Sequence, residues 1–193
     1  MWSIAAALLL AGAPAQARAS PGPAELPAVA GPWSPPDTGV SFPERAGEFH
    51  RTRIVRYGPE NWSVGYDRVR DGRKTATTTV FLYVPSDGPC PAQFDGAVQA
   101  VAVAYPGAVE VSRAAAVSPE GGRPGAARRV RHRMTATFDR ADREVLSDTY
   151  VYCRSNFRWT IKYRSTWPAS ERSPDGGAPE LLRAIVWPAT LAE

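Results

Sequence analysis

Between Phe157 and Trp167 the chain alternates without a break. Phe157, Trp159, Ile161, Tyr163 and Trp167 fall on one side; Arg158, Thr160, Lys162, Arg164 and Thr166 fall on the other. A repeat of two is that of a β-strand, whose successive side chains point to opposite faces. A helix would scatter these rings around its circumference. The run therefore commits the chain to a sheet with at least one aromatic face, and Pro168 ends the strand.

Other segments follow the same rule. Phe49–Tyr57 reads as a charged strand with Arg51 and Arg53 on one side, and Trp62–Arg68 as a second strand. Asp71-Gly72 marks the turn after it. Thr77–Val84 is β-branched and aromatic throughout, which predicts a central strand buried on both faces. Arg129–Phe138 alternates Val130, His132, Met134, Ala136 and Phe138 against arginines and threonines, and Val145–Cys153 follows a charged turn. Two segments read as helix. Phe94, Val98, Val101, Ala102 and Tyr105 form a helical stripe, opened near Pro91 and stopped by Pro106-Gly107. Pro179–Trp187 is the second helix, with Leu182, Ile185 and Val186 inward and Pro188 as its stop. Between them, a short strand at 109–111 leads into a Gly/Pro/Ala-rich loop at 112–127.

These elements predict an α+β fold: a mainly antiparallel sheet of about six strands in the order β3-α-β3-α, with the helices packed on it. Over Phe49–Trp187 that order resembles the PsbP-like α/β/α sandwich superfamily. The resemblance implies a non-enzymatic role in binding or assembly and brings no functional residue with it.

The N-terminus reads as an address. Ile4–Ala11 is a short apolar run, followed by small-x-small sites at Ala15-Gln16-Ala17 and Ala17-Arg18-Ala19. This is the layout of a secretory signal peptide, assigned here to residues 1–19. Residues 20–43 hold seven prolines and read as a flexible linker. Residues 44–193 read as a single domain, large enough to bury roughly two-thirds of its unfolded surface. No stretch after the leader has the length of a membrane-spanning helix. The expected location is periplasmic or secreted.

Two cysteines, Cys90 and Cys153, agree with an oxidising compartment, and export with an even count favours a bridge between them. Two buried free thiols are the alternative. No Cys-x-x-Cys occurs, and His50 and His132 lie far apart, so no metal site is expected. No phosphate loop, dinucleotide fingerprint or Gly-x-Ser-x-Gly motif points to a cofactor or a serine nucleophile.

Charge narrows the partners. The chain carries 23 basic and 19 acidic residues, a net +4, and all but Lys74 and Lys162 of the basic residues are arginine. Nucleic-acid binders concentrate charge far more, so none is expected as a partner. Arg129, Arg131 and Arg133 share one side of their strand; Arg158, Lys162 and Arg164 share one side of another. If the two rows join on one sheet face, they form an anion-binding surface for an envelope protein, an anionic lipid or a glycan. A solvated face balanced by cross-strand carboxylates is the plainer reading. The hairpin register stays open at Ser155-Asn156. A two-residue turn sets Lys162 opposite Thr149; one more residue sets it opposite Asp148.

The remaining candidates have structural explanations. His132 lies on the apolar side of its strand and reads as a buried histidine before it reads as a general base or the partner of Cys153. Asp139, Asp142, Glu144 and Asp148 read as turn chemistry around Arg140 and Arg143. Trp33 reads as an aromatic of the linker lying on the domain. Trp62, Trp159, Trp167 and Trp187, with Tyr66, Tyr83, Tyr150, Tyr152 and Tyr163, either fill a core or wall a ligand groove between sheet and helix. The function read from all this is an exported, non-enzymatic binding or accessory module. The alternative is a small envelope hydrolase with His132 or His50 beside an acid in a pocket.

Overall fold

The computed structural model describes residues 22–85, 89–154 and 157–192. The signal segment and the Ser155-Asn156 turn lie outside the described residues. The described chain forms one nine-stranded antiparallel sheet: β1 (Ala24–Glu25), β2 (Arg45–Ala46), β3 (Phe49–Gly58), β4 (Asn61–Arg70), β5 (Arg73–Tyr83), β6 (Val109–Ala116), β7 (Ala127–Phe138), β8 (Ala141–Arg154) and β9 (Phe157–Pro168). Three helices accompany it: α1 (Cys90–Ala104), α2 (Ala178–Ala184) and α3 (Ala189–Ala192). The spatial order is β1-β3-β4-β5-β9-β8-β7-β6, with β2 paired to β3.

The α+β expectation is overturned. Strand accounts for 51% of the structure and helix for 15%, and the strands number nine rather than six. The physical reason lies in what covers the sheet. On one face the cover is largely not helix. It is the proline-rich segment, which cannot coil into a helix but can lie extended along a sheet.

That segment, read as a linker, is docked. Val40 and Phe42 are fully buried in the main core, beside Trp62, Val64, Leu82 and Ile161. Trp33 meets Trp62 edge-on at 5.4 Å and Phe42 at 6.0 Å. Arg51 ties the segment down by donating to the carbonyls of Phe42, Val29 and Gly31. Arg51 can do so because β3 carries a bulge at Thr52, between the pairs Arg51↔Tyr66 and Arg53↔Gly65. The extra residue turns Arg51 to the core face and Arg53 away from it, so the two do not share a side as alternation alone predicts.

The opposite face is covered by α1, whose buried residues pack on β7 and β8. Phe94 and Ala97 pack on Val130 and Val151; Val101 packs on Met134, Phe138 and Val145. A Cys90–Cys153 disulfide, with Cα atoms 5.8 Å apart and a sequence separation of 63, fastens the start of α1 to β8. Strand β8 therefore lies under cover on both sides, with Val145, Ser147, Thr149 and Val151 beneath α1 and Asp148, Tyr150 and Tyr152 on the main-core side. Strand β5 is central in the order but buried on one face only. Ala76, Thr78, Val80 and Leu82 are buried, while the alternate residues Thr75, Thr77, Thr79, Phe81 and Tyr83 are partly exposed. α1 meets this strand at its end, where Tyr83 lies beside Gln93, and the threonines along the rest suit a half-wet surface.

Turns and ends follow local chemistry. Asp71-Gly72 and Asp139-Arg140 each hold two consecutive positive φ angles, the backbone that two-residue hairpins require. Strand β6 runs on to Ala116, into residues expected as loop, because pairing with β7 overrides the weak strand preference of its alanines. α2 stops at Ala184. Ile185 is extended and buried, and Val186 exchanges two backbone hydrogen bonds with Ser41 instead of facing inward.

Candidate functional site

The two arginine rows do not meet. Arg131 pairs with Asp148 and Asp148 with Ser165, so Arg129, Arg131 and Arg133 share the face of Tyr150, Tyr163 and Trp167. Lys162 pairs with Val151 and Arg164 with Thr149, which puts them on the α1 side. Neither register considered for Lys162 is the one adopted. A bulge between Tyr152 and Arg154 displaces the pairing by two residues. The anion-binding sheet face is therefore split across the two sides of the sheet.

Each member of the second row has its own local partner. Arg158 is exposed and ion-paired with Glu60. The Lys162 ammonium sits 4.0 Å from the centre of the Phe81 ring, and burial lowers its pKa. Arg164 donates to Ser147 Oγ at 2.9 Å and lies over Tyr105 at 4.9 Å.

The first row behaves differently. Arg131 grips Asp148 through two hydrogen bonds of 2.7 Å, lies 5.2 Å over Trp167, and donates to the carbonyl of Pro174. Asp148 is fully buried, so it is no turn residue. The hydroxyl of Tyr150 also donates to it, at 3.1 Å. Arg129 approaches the same carboxylate only to 3.7 Å, outside hydrogen-bond range. Its Nε is buried and has no hydrogen-bond partner. Arg133 is exposed.

Above this network lies a cavity of about 470 Å³. Its floor is Tyr150 and Tyr163, stacked with ring centres 4.3 Å apart and planes 14° from parallel. Burial raises the pKa of both phenols, and Asp148 raises it further, so both are neutral at physiological pH. One wall is the end of β6, where Ala114 and Ala116 point to this face opposite Arg129 and Ala127. Their small side chains leave the space that larger residues would fill. The other wall is α2, through Pro179, Leu182 and Arg183. The loop after β6 closes the end. Ser118 and Arg123 exchange backbone and side-chain hydrogen bonds, and Gly121 takes the positive φ of 85° that the turn requires. Among the described residues, Arg129 and Arg183 are the charged residues lining this groove, and no carboxylate lines it.

A second cavity, of about 590 Å³, lies at the hairpin ends. Arg70, Arg73, Lys74, Arg143 and Arg172 line it with Asp71 and Glu171. Arg70, Arg73 and Lys74 are neighbours in the β4–β5 hairpin, and the convergence of that hairpin with β8 and the loop after β9 adds Arg143 and Arg172.

The other candidates are placed apart from both cavities. His132 is buried on the α1 side, opposite Ser147 and Glu110 on neighbouring strands, and its Nδ1 has no hydrogen-bond partner. Burial lowers its pKa, with Glu110 opposing. Cys153 is held in the disulfide, so it offers no thiol to His132. His50 is half-buried between Arg45 and Asp67 on flanking strands. Neither histidine lines either of these two cavities. Asp139 lies in the turn, Asp142 accepts from Thr137 at 2.6 Å, and Glu144 is exposed.

The aromatics divide between core and groove. Trp62, Trp159, Tyr66 and Tyr152 fill the main core, Trp167 is buried beneath Arg131, and Trp187 donates to the Leu182 carbonyl. Tyr83 is half-buried beside Gln93. Only Tyr150 and Tyr163 of this set reach the groove. Sequence reasoning missed Asp148 and the alanine wall. An aspartate inside the run Leu146–Tyr152 was the available signal.

No protein-family model matches this chain, and comparison with curated proteins and with solved structures gives no match.

Proposed function

We propose that this chain is an exported, non-enzymatic binding or accessory module of the cell envelope, and that its ligand site is the groove between β6, β8, β9 and α2. The observation that carries the reading is the groove itself. An aromatic floor, an alanine wall and an inward arginine enclose a space within the roughly 300–1,000 Å³ usual for small-molecule sites. The disulfide supports an oxidising compartment, and no helix among the described residues is long and apolar enough to cross a membrane. The leader at residues 1–19 supports export.

The test is intact and native mass spectrometry on protein exported by its own leader. The denatured mass should lack residues 1–19 and two hydrogens. The native spectrum should carry a small molecule that Ala114→Trp, which fills the groove, removes. A retained leader overturns export. A small molecule that survives Ala114→Trp overturns the groove.

A further inference from the structure

The groove's charge is out of balance. Asp148 is the acid nearest Arg129, and its oxygens are already engaged by the Arg131 fork and the Tyr150 hydroxyl. Two guanidiniums thus share one buried carboxylate. The one left over is Arg129, with a long contact of 3.7 Å to Asp148 and an Nε that meets no acceptor. Glu120, in the loop that closes the groove, lies 3.7 Å from Arg123 with both carboxylate oxygens buried and without a hydrogen-bond partner, but it does not line the groove, and Asp175 accepts from the Gly177 amide at 2.9 Å. A neutral ligand that covered Arg129 would strip water from it and return nothing, a cost greater for a charged group than for a polar one.

We infer that the groove takes an apolar monoanion: an apolar body against Tyr150, Ala114, Ala116 and Leu182, and one carboxylate or sulfonate on Arg129. The inference rests on the groove being the binding site. A guanidinium offers a planar pair of donors that matches such an oxyanion. One inner cation sets one anionic group. Arg183, exposed at the rim, tolerates an anion without demanding one. The apolar walls exclude a strongly hydrated body such as a free sugar.

Two dyes test this, because they share a body and differ by one charge. Anilinonaphthalene sulfonate carries the anion; phenylnaphthylamine does not. The full exported chain should bind the sulfonate at least about tenfold more tightly, the worth of one charge-assisted hydrogen bond. Arg129→Met should bring the two dyes to comparable affinity without weakening phenylnaphthylamine. Arg129→Lys, which keeps the charge, should retain part of the preference and guards against a folding defect in the first variant. Ala114→Trp should abolish binding of both dyes. Arg73→Gln combined with Arg172→Gln, at the other cavity, should change neither.

Equal affinity of the parent protein for the two dyes overturns the inference and leaves the groove standing. So does a preference that survives Arg129→Met. A preference lost on changing Arg73 and Arg172 moves the anion site to the hairpin ends and also overturns it. Undiminished binding of both dyes by Ala114→Trp overturns the groove reading itself.

Discussion

Arg131 and Asp148 face each other across β7 and β8, joined by two hydrogen bonds of 2.7 Å, with the carboxylate fully buried. The pair is the fixed point of the groove. It holds the Tyr150 hydroxyl in place and leaves Arg129 a single 3.7 Å contact to the carboxylate, with its Nε unpartnered. Breaking a buried pair from one side leaves a charge with no counterpart, which costs about 3–5 kcal/mol. Asp148→Ala should lower unfolding free energy by about that amount, measured by urea denaturation. Replacing both partners with leucine should recover much of it. A double variant as damaged as the single one would show that packing around the pair, and not its charge, sets the cost.

The disulfide should act locally as well as globally. Cys90→Ser with Cys153→Ser removes a cross-link over 63 residues. The chain-entropy model puts that loss at about 4 kcal/mol. Amide exchange should accelerate most in α1, whose buried contacts are Phe94, Ala97 and Val101, while β5 and β9 keep their protection. Uniform acceleration would show that α1 is no separable unit.

The sequence shows the strand at Phe157–Trp167 and the helix around Phe94–Tyr105 plainly, because each obeys one period over its length. It hides which strands share a face. Alternation tells apolar from polar within a strand, but not which side of the sheet the apolar row takes. Here the buried face changes sides across the sheet. The aromatic row of β9 faces the main core with Tyr150, while Val130 and Met134 of β7 face α1. The basic rows of β7 and β9 consequently point in opposite directions. Two bulges, at Thr52 and near Cys153, shift register in ways no residue type announces. The groove was legible only as a surplus of aromatic residues.

His132 makes stability depend on pH in a known direction. Burial lowers its folded-state pKa below the ordinary value of 6.5. Between the folded value and 6.5 the unfolded chain binds more protons, so stability rises with pH through that window. It is fully present above 6.5 and is lost as pH falls toward the folded value. His132→Gln, which cannot ionise, should flatten the slope of unfolding free energy against pH in this range. An unchanged slope would assign the effect to other groups.

The docked N-terminal segment should come loose on losing its aromatic anchor. Trp33→Ala removes the contacts with Trp62 and Phe42. For a partly buried tryptophan the loss should be about 2–3 kcal/mol, below the full core value of about 3–5. Limited proteolysis should then cut within residues 22–43 well before the sheet is attacked. Simultaneous loss of sheet and segment would show that the segment is an inseparable part of the core.

The account turns on where a ligand sits. Methyl-resolved NMR during a titration with anilinonaphthalene sulfonate reads this directly. The methyl groups of Ala114, Ala116 and Leu182 should shift together and saturate together, while those of Val98, Val101 and Met134 beneath α1 stay still. Shifts centred beneath α1, or spread evenly over the surface, would contradict the groove as the binding site.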